Sequence, residues 1–260
     1  MLSAEQRESF EESGIVRLPA AVAPSVVSAL REKVLARLRR IVPEPPPSGF
    51  GIKPSQLASI PSAHGFDEIW GARVIAALDQ LLGAGAWHVP KHAGQILSIP
   101  YPLRDVSWEL PHKVWHLDYR APGSALGMPG VQLFLCIDRV EPRSGATLVA
   151  AGTPRLIDAI RRRRGPAWTG RSAEVRRALC QNVPWFSELC SLRPGEDRVA
   201  RFVSEETRFD GVALRVVELT GEPGDVWAMH PWMVHNLSPN CGTRPRLGLT
   251  ERIRATHAPW

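Results

Sequence analysis

Cysteine is sparse and unpatterned. Cys136, Cys180, Cys190 and Cys241 show no Cys-x-x-Cys spacing and no accompanying paired-histidine signature. That leaves four reduced thiols and excludes a disulfide scaffold or a zinc ribbon. No apolar run approaches the roughly 18 residues that a membrane-spanning helix requires. The first residues, MLSAEQRE, carry charges where a secretory leader needs an apolar stretch, so a cytoplasmic protein with no membrane partner is expected. Internal repeats and low-complexity tracts are also missing. At 260 residues the chain suits one domain with a substantial core.

Acidic residues are outnumbered, 26 against 32 basic ones, giving a net charge of +6. Such an excess invites a nucleic-acid partner, most pointedly at Arg161 to Arg164. The excess is almost all arginine, however, and is spread along the chain. The run itself falls on an expected helix, 155–164, that Gly165-Pro166 ends, and no aromatic residues interleave with it for base stacking. A solvated helix face is the expectation, with no nucleic-acid partner, although an anionic group could use the same charges.

Apolar spacing and breakers predict helices at 4–13, 24–41 and 67–82, with a strand at 15–18. From Trp87 the pattern turns to short β segments, including 94–99 and 131–137. A long insertion, Pro154 to about Arg208, carries helical pieces punctuated by Trp168, Trp185 and Phe186. It reads as either a lid or a helical excursion packed on the domain.

The chemistry concentrates in three places. His116-Leu117-Asp118 places an imidazole and a carboxylate two residues apart, a spacing that shares one face of a strand. Pro111 argues against a helix there, although on a strand His112 has the parity of His116 and parity alone does not exclude it as a ligand. A distant segment, Gly224 to His235 (GDVWAMHPWMVH), offers His230 and His235 as a further ligand. Two imidazoles and one carboxylate form a facial set that suits Fe(II) and leaves coordination positions open. Arg246 follows eleven residues after His235 and presents a planar fork suited to a carboxylate. Strand parity puts it on one face with Gly248 and Thr250, whereas Arg244 lies nearer the loop.

These motifs, in this order, resemble the phytanoyl-CoA dioxygenase family of Fe(II)/2-oxoglutarate oxygenases. The resemblance covers most of the chain: FEESGIVRLP from Phe10, WHLDY from Trp115, LFLCID from Leu133, SGATLV from Ser144, the Gly224 to His235 segment, SPN from Ser238 and RPR from Arg244. The chain departs from it at AGTPR from Ala151 and at Ser144, where the family often has Pro-Gly-Ser-His and Asn. The resemblance implies a mainly β protein with flanking helices, built on a double-stranded β-helix of the jelly-roll or cupin kind. It implies iron held by His116, Asp118 and His235, with His230 in a packing role. It further implies 2-oxoglutarate anchored by Arg246 and O2 as the second cosubstrate, with succinate and CO2 released. The carboxylate at 118 favours hydroxylation, desaturation or cyclisation over halogenation, since the halogenating relatives have a small residue there.

The expected substrate is a small, apolar or ring-bearing molecule. Lys113, Trp115, Tyr119, Arg120, Trp185 and Trp232 are candidates for the pocket rim, and Gln132 for a polar contact to the cosubstrate. The competing readings are an oxygenase acting on nucleic acid or protein, and a metal-binding barrel without catalysis.

Overall fold

A computed structural model describes residues 1–258. Helix α1 (Ala4–Ser13) starts on a capping box, in which Ser3 and Gln6 satisfy each other's backbone N–H groups. It stops at Gly14, whose left-handed φ of 82° a side chain would strain. Strand β1 (Ile15–Leu18) follows, then α2 (Pro24–Ile41), which opens on proline and buries Val27, Leu30, Val34 and Leu38. After β2 (Gly51–Ile52) comes α3 (Phe66–Leu82). The expected continuous helix is interrupted there: Gly71 has φ 67° and kinks it. Short strands β3 (Trp87–His88), β4 (Gln95–Ile96) and β5 (Ile99–Pro100) lead to β6 (Gly130–Cys136) and β7 (Thr147–Ala151). Helices α4 (Thr153–Arg164), α5 (Ser172–Asn182) and α6 (Pro184–Leu189) precede β8 (Thr207–Phe209) and β9 (Val212–Glu218). Strands β10 (Val226–Met229), β11 (His235–Leu237) and β12 (Gly248–Ala255) complete the chain.

The strands form two principal antiparallel sheets. One has the order β1-β10-β6-β12-β3 with β4 also on β12, and the other runs β11-β7-β9-β8. Phe134 and Met229 of the larger sheet meet Val149 and Val217 of the smaller one in a single apolar cluster, so the sheets face each other. The outer face of the larger sheet is covered by α2 and α3, with Trp70 and Val74 fully buried against Leu133 and Leu135. Among the described residues no helix is long and apolar enough to cross a membrane.

The insertion is mostly a layer on the smaller sheet. Ile157, Val175, Leu179, Phe186 and Phe202 are fully buried with Leu148, Ala150 and Val216. Burying each such side chain stabilises the layer by about 1.5–3 kcal/mol, more than a mobile lid could give up at each opening. Arg161 also departs from the expected solvated face. It is 4% exposed and lies 4.6 Å from the Trp232 ring, paired with Asp158. Only the turn after α4 borders a cavity with Asp118, through Pro166, Ala167, Trp168 and Thr169. Hydrogen exchange is expected to be slow throughout α4, α5 and α6, with ligand-dependent change confined to 166–170. Rapid exchange across all three helices would show that the whole insertion opens.

Candidate metal centre

The segment carrying His116 and Asp118 is not a strand, contrary to expectation. Val114 turns the chain with φ 66°, and only His116 pairs, as an isolated antiparallel bridge to His235. The two residues exchange backbone hydrogen bonds of 3.1 and 2.9 Å, which brings their rings to 4.3 Å between centroids. Side-chain alternation nonetheless survives: Trp115, Leu117 and Tyr119 are buried, while His116 and Asp118 face the other way. Three anchors hold the loop in place. Leu117 N–H donates to Ser172 Oγ, Trp115 Nε1 to Pro111 O, and Trp232 Nε1 to Arg120 O.

His116, Asp118 and His235 come together with one ligand atom each, all within 4.8 Å of one another. Asp118 Oδ1 is 3.7 Å from His116 Nε2, and Oδ2 is 3.7 Å from His235 Nε2. Those separations are too long for hydrogen bonds and short enough for both donors to reach one small cation. Each ring also has its other nitrogen committed. His116 Nδ1 lies 2.9 Å from Val114 O and His235 Nδ1 lies 3.1 Å from Met233 O, so both Nδ1 atoms donate and both Nε2 lone pairs face inward. The donor set fits a first-row metal such as Fe(II).

Electrostatics favour the ligating forms. Burial alone pushes the Asp118 carboxyl up, but the neighbouring His235 and Arg252, with hydrogen bonds from Arg252 and Gln132, hold it below the usual carboxylate range. Burial pushes the His235 imidazole below its ordinary value despite Asp118, which keeps it neutral and able to bind metal. Gln132 Nε2 donates to Asp118 Oδ2 at 3.0 Å and contacts Thr250 Oγ1 at 3.4 Å. Gln132 therefore holds the Asp118 carboxylate in place. Arg252 Nη2 lies 2.8 Å from the same Oδ2. Sequence reading passed over Arg252, although it has the strand parity of Arg246, Gly248 and Thr250.

His230 stands apart from this cluster. Its Nδ1 accepts from Trp232 N–H at 3.0 Å, and its ring packs between Phe10 and Trp232. Burial pushes its pKa down to about 3 from 6.5. Because the unfolded chain binds that proton first, the stability contributed by neutral His230 is complete above pH 6.5 and is lost as pH falls toward 3. Between pH 6.5 and about pH 5 the loss is about 2 kcal/mol. Urea unfolding should show that loss in the wild type but not in His230→Gln; identical pH profiles would remove His230 as its source.

Arg246 is 6% exposed, whereas Arg244 is on the surface. Among the described residues, the one hydrogen bond of its side chain runs from Nε to Gly145 O at 2.8 Å, and no carboxylate pairs with it. Burial lowers its pKa to about 10, so the guanidinium stays charged at neutral pH. Nη1 lies over Gly248, 3.1 Å from where a Cβ would project, so a larger residue there would displace the fork. Thr250 is two strand residues further, about 7 Å along the same face.

The residues expected at a pocket rim divide. Asp118, Tyr119, Arg120, Trp168, Trp232 and His257 help to line a cavity of about 650 Å³. Trp115 and Trp185 do not border it: they are 1% and 2% exposed, within the apolar cluster around the insertion helices, because their indoles fill volume between layers. Lys113 is exposed and meets Asn236 Nδ2 through its backbone oxygen.

Two facing antiparallel sheets flanked by helices define the fold, and solved structures superpose on it. EctD from S. alaskensis, with 2-oxoglutarate and 5-hydroxyectoine, superposes with a TM-score of 0.51 at 17% identity, over 98% of this chain and 76% of that one. HygX from Streptomyces hygroscopicus, with nickel and 2-oxoglutarate, gives 0.51 at 14%, over 98% and 88%. EvdO2 from Micromonospora carbonacea var. aurantiaca, complexed with 2-oxoglutarate, gives 0.50 at 14%, over 100% and 98%. At such identities the likeness is one of fold. No family model and no curated protein sequence matches the chain.

Proposed function

We propose that the chain is an Fe(II)- and 2-oxoglutarate-dependent dioxygenase with a jelly-roll core, of the phytanoyl-CoA dioxygenase kind, acting on a small molecule. The observation that carries this reading is Arg246. A buried guanidinium without an acid partner is costly, and here it shares one strand face with the contacts of a three-donor metal cluster. An anionic cosubstrate between the two offsets that cost. The three solved relatives, each holding 2-oxoglutarate, support the same reading.

His116, Asp118 and His235 would hold the iron and Arg246 the far carboxylate of 2-oxoglutarate. Iron, keto acid and O2 supply the oxidising power, with succinate and CO2 as by-products. The chain's own residues do the rest. Val114 O and Met233 O fix the tautomers of the two imidazoles, and Gln132 and Arg252 fix the carboxylate plane. Tyr119, Trp168 and Trp232 wall the cavity beside Asp118, where an apolar or ring-bearing substrate excludes water from the reacting position. Such an aromatic-walled cavity favours a small molecule over a nucleic acid or protein.

The test is a screen of ring-bearing small molecules for substrate-dependent succinate, with Asp118→Ala as the blank. A substrate gives succinate in the wild type only. Failure of the wild type to consume 2-oxoglutarate at all, including uncoupled turnover without substrate, would contradict the proposal.

A further inference from the structure

Arg161 is buried on α4 with its side chain spread over three contacts. Nη2 meets Asp158 Oδ1 at 2.6 Å, Nη1 donates to Ala125 O at 2.8 Å, and the guanidinium carbon lies 4.6 Å from the centre of the Trp232 ring. Its Nε, buried as well, finds no acceptor among the described residues. An unmet donor on a buried guanidinium is costly, and an apolar side chain of similar length would fill the same space without that cost. Asp158 does not require Arg161 either, because Arg162 Nη2 reaches its other oxygen at 2.8 Å. What an apolar residue could not do is hold Ala125 and Trp232 at one point.

Both of these residues line the aromatic cavity beside Asp118, whereas Arg161 does not. It borders a second cavity, of about 460 Å³, that shares Trp232 and Gly127 with the first. The guanidinium therefore supports the indole from the side of the second cavity and ties the 120–127 loop to it. Trp232 is fixed at its other end by Nε1, which donates to Arg120 O at 3.0 Å. The turn after α4, a further wall of the aromatic cavity, starts from the same residue, with Gly165 N–H donating to Arg161 O at 3.1 Å. Loop and turn are also joined to each other: Ala121 N–H donates to Gly170 O and Gly123 N–H to Trp168 O, each at 2.9 Å. Only glycine permits so close an approach, since a Cβ at 123 would lie 1.8 Å from Gly165 O.

We infer that Arg161 is the positioning residue of the substrate cavity. It holds Trp232 and the 120–127 loop in one arrangement, so that the cavity selects rigid, flat ring systems over flexible chains of comparable size. A fixed wall favours a ligand that is already flat, because a flexible chain gives up rotational freedom to fill the same space. The inference rests on the oxygenase reading and adds to it the shape of the substrate and a residue that governs that shape through its neighbours.

Equilibrium binding of 2-naphthol and 1-octanol to the metal-free protein tests it. The wild type should bind 2-naphthol about tenfold tighter than 1-octanol. Arg161→Met should cut that preference to about threefold or less, by weakening 2-naphthol alone. Arg161→Lys keeps a cation beside Trp232 but loses the fork that reaches Asp158 and Ala125 together, and should fall between the two; it carries the test if the methionine variant does not fold. Arg162→Met, on the same helix and exposed, should leave the ratio of affinities unchanged. A merely structural role for Arg161 would weaken both alcohols alike. Equal affinity of the wild type for the two alcohols, an unchanged ratio in the Arg161 variants, or the same loss of preference in Arg162→Met would overturn the inference. Failure of Fe(II) and 2-oxoglutarate to bind would instead contradict the oxygenase reading, and the ratio on metal-free protein is measured independently of both.

Discussion

Alanine at His116, Asp118 or His235 should each reduce Fe(II) affinity by more than about 100-fold, since loss of an outer contact alone costs 10- to 100-fold. Each residue offers one of three candidate ligand atoms, and among the described residues no other His, Cys, Asp or Glu joins the group. The three variants differ in a useful way. His235→Ala removes a buried ring from β11 and also opens a cavity, whereas half-exposed His116 can be removed with little packing loss. Asp118→Ala leaves Arg252 without its counter-ion. Gln132→Leu should weaken the metal by only about 10-fold, through misorientation of the Asp118 carboxylate. His230→Ala should retain iron. Anaerobic equilibrium dialysis measures all five; iron lost in His230→Ala and kept in His235→Ala would reassign the distal ligand.

The second large effect is at Arg246. Arg246→Ala should weaken 2-oxoglutarate by about 2–5 kcal/mol, the cost of removing one partner of a buried charge pair, with iron affinity largely kept. Arg246→Lys retains the charge but loses the two-pronged geometry, and should still weaken the cosubstrate. A stability measurement separates this role from a merely structural one. Among the described residues the guanidinium has no acid partner, so Arg246→Met should lower folding stability by no more than about 1 kcal/mol, the value of the bond to Gly145 O. A larger loss of stability with unchanged cosubstrate affinity would make Arg246 a structural residue.

The helices and main strands were legible because their signals are local. Ser3, Gly14, Pro24 and Gly83 mark helix ends, and residues 133–136 are an apolar run that the central strand β6 buries completely. The kink at Gly71 was less visible, because one glycine within an apolar period does not announce a positive φ. His116, Asp118 and His235 could be singled out from spacing and resemblance, but the geometry that joins them could not. It depends on a turn at Val114 and on one bridge across 119 residues of sequence. Arg252 was hidden because parity alone does not reveal which face of a strand meets a distant loop. The tryptophans misled for a related reason: indoles at 115 and 185 serve equally as core or contact, and only layer packing decides between them.

Anaerobic calorimetric titration of the wild-type protein with 2-oxoglutarate, in the presence and absence of Fe(II), tests the central claim most directly. The account predicts stoichiometric Fe(II) binding and tight 2-oxoglutarate binding only after the metal, with the metal dependence lost in Asp118→Ala and the acid affinity reduced in Arg246→Ala. Binding of 2-oxoglutarate that is absent, or indifferent to iron and to both substitutions, would contradict it.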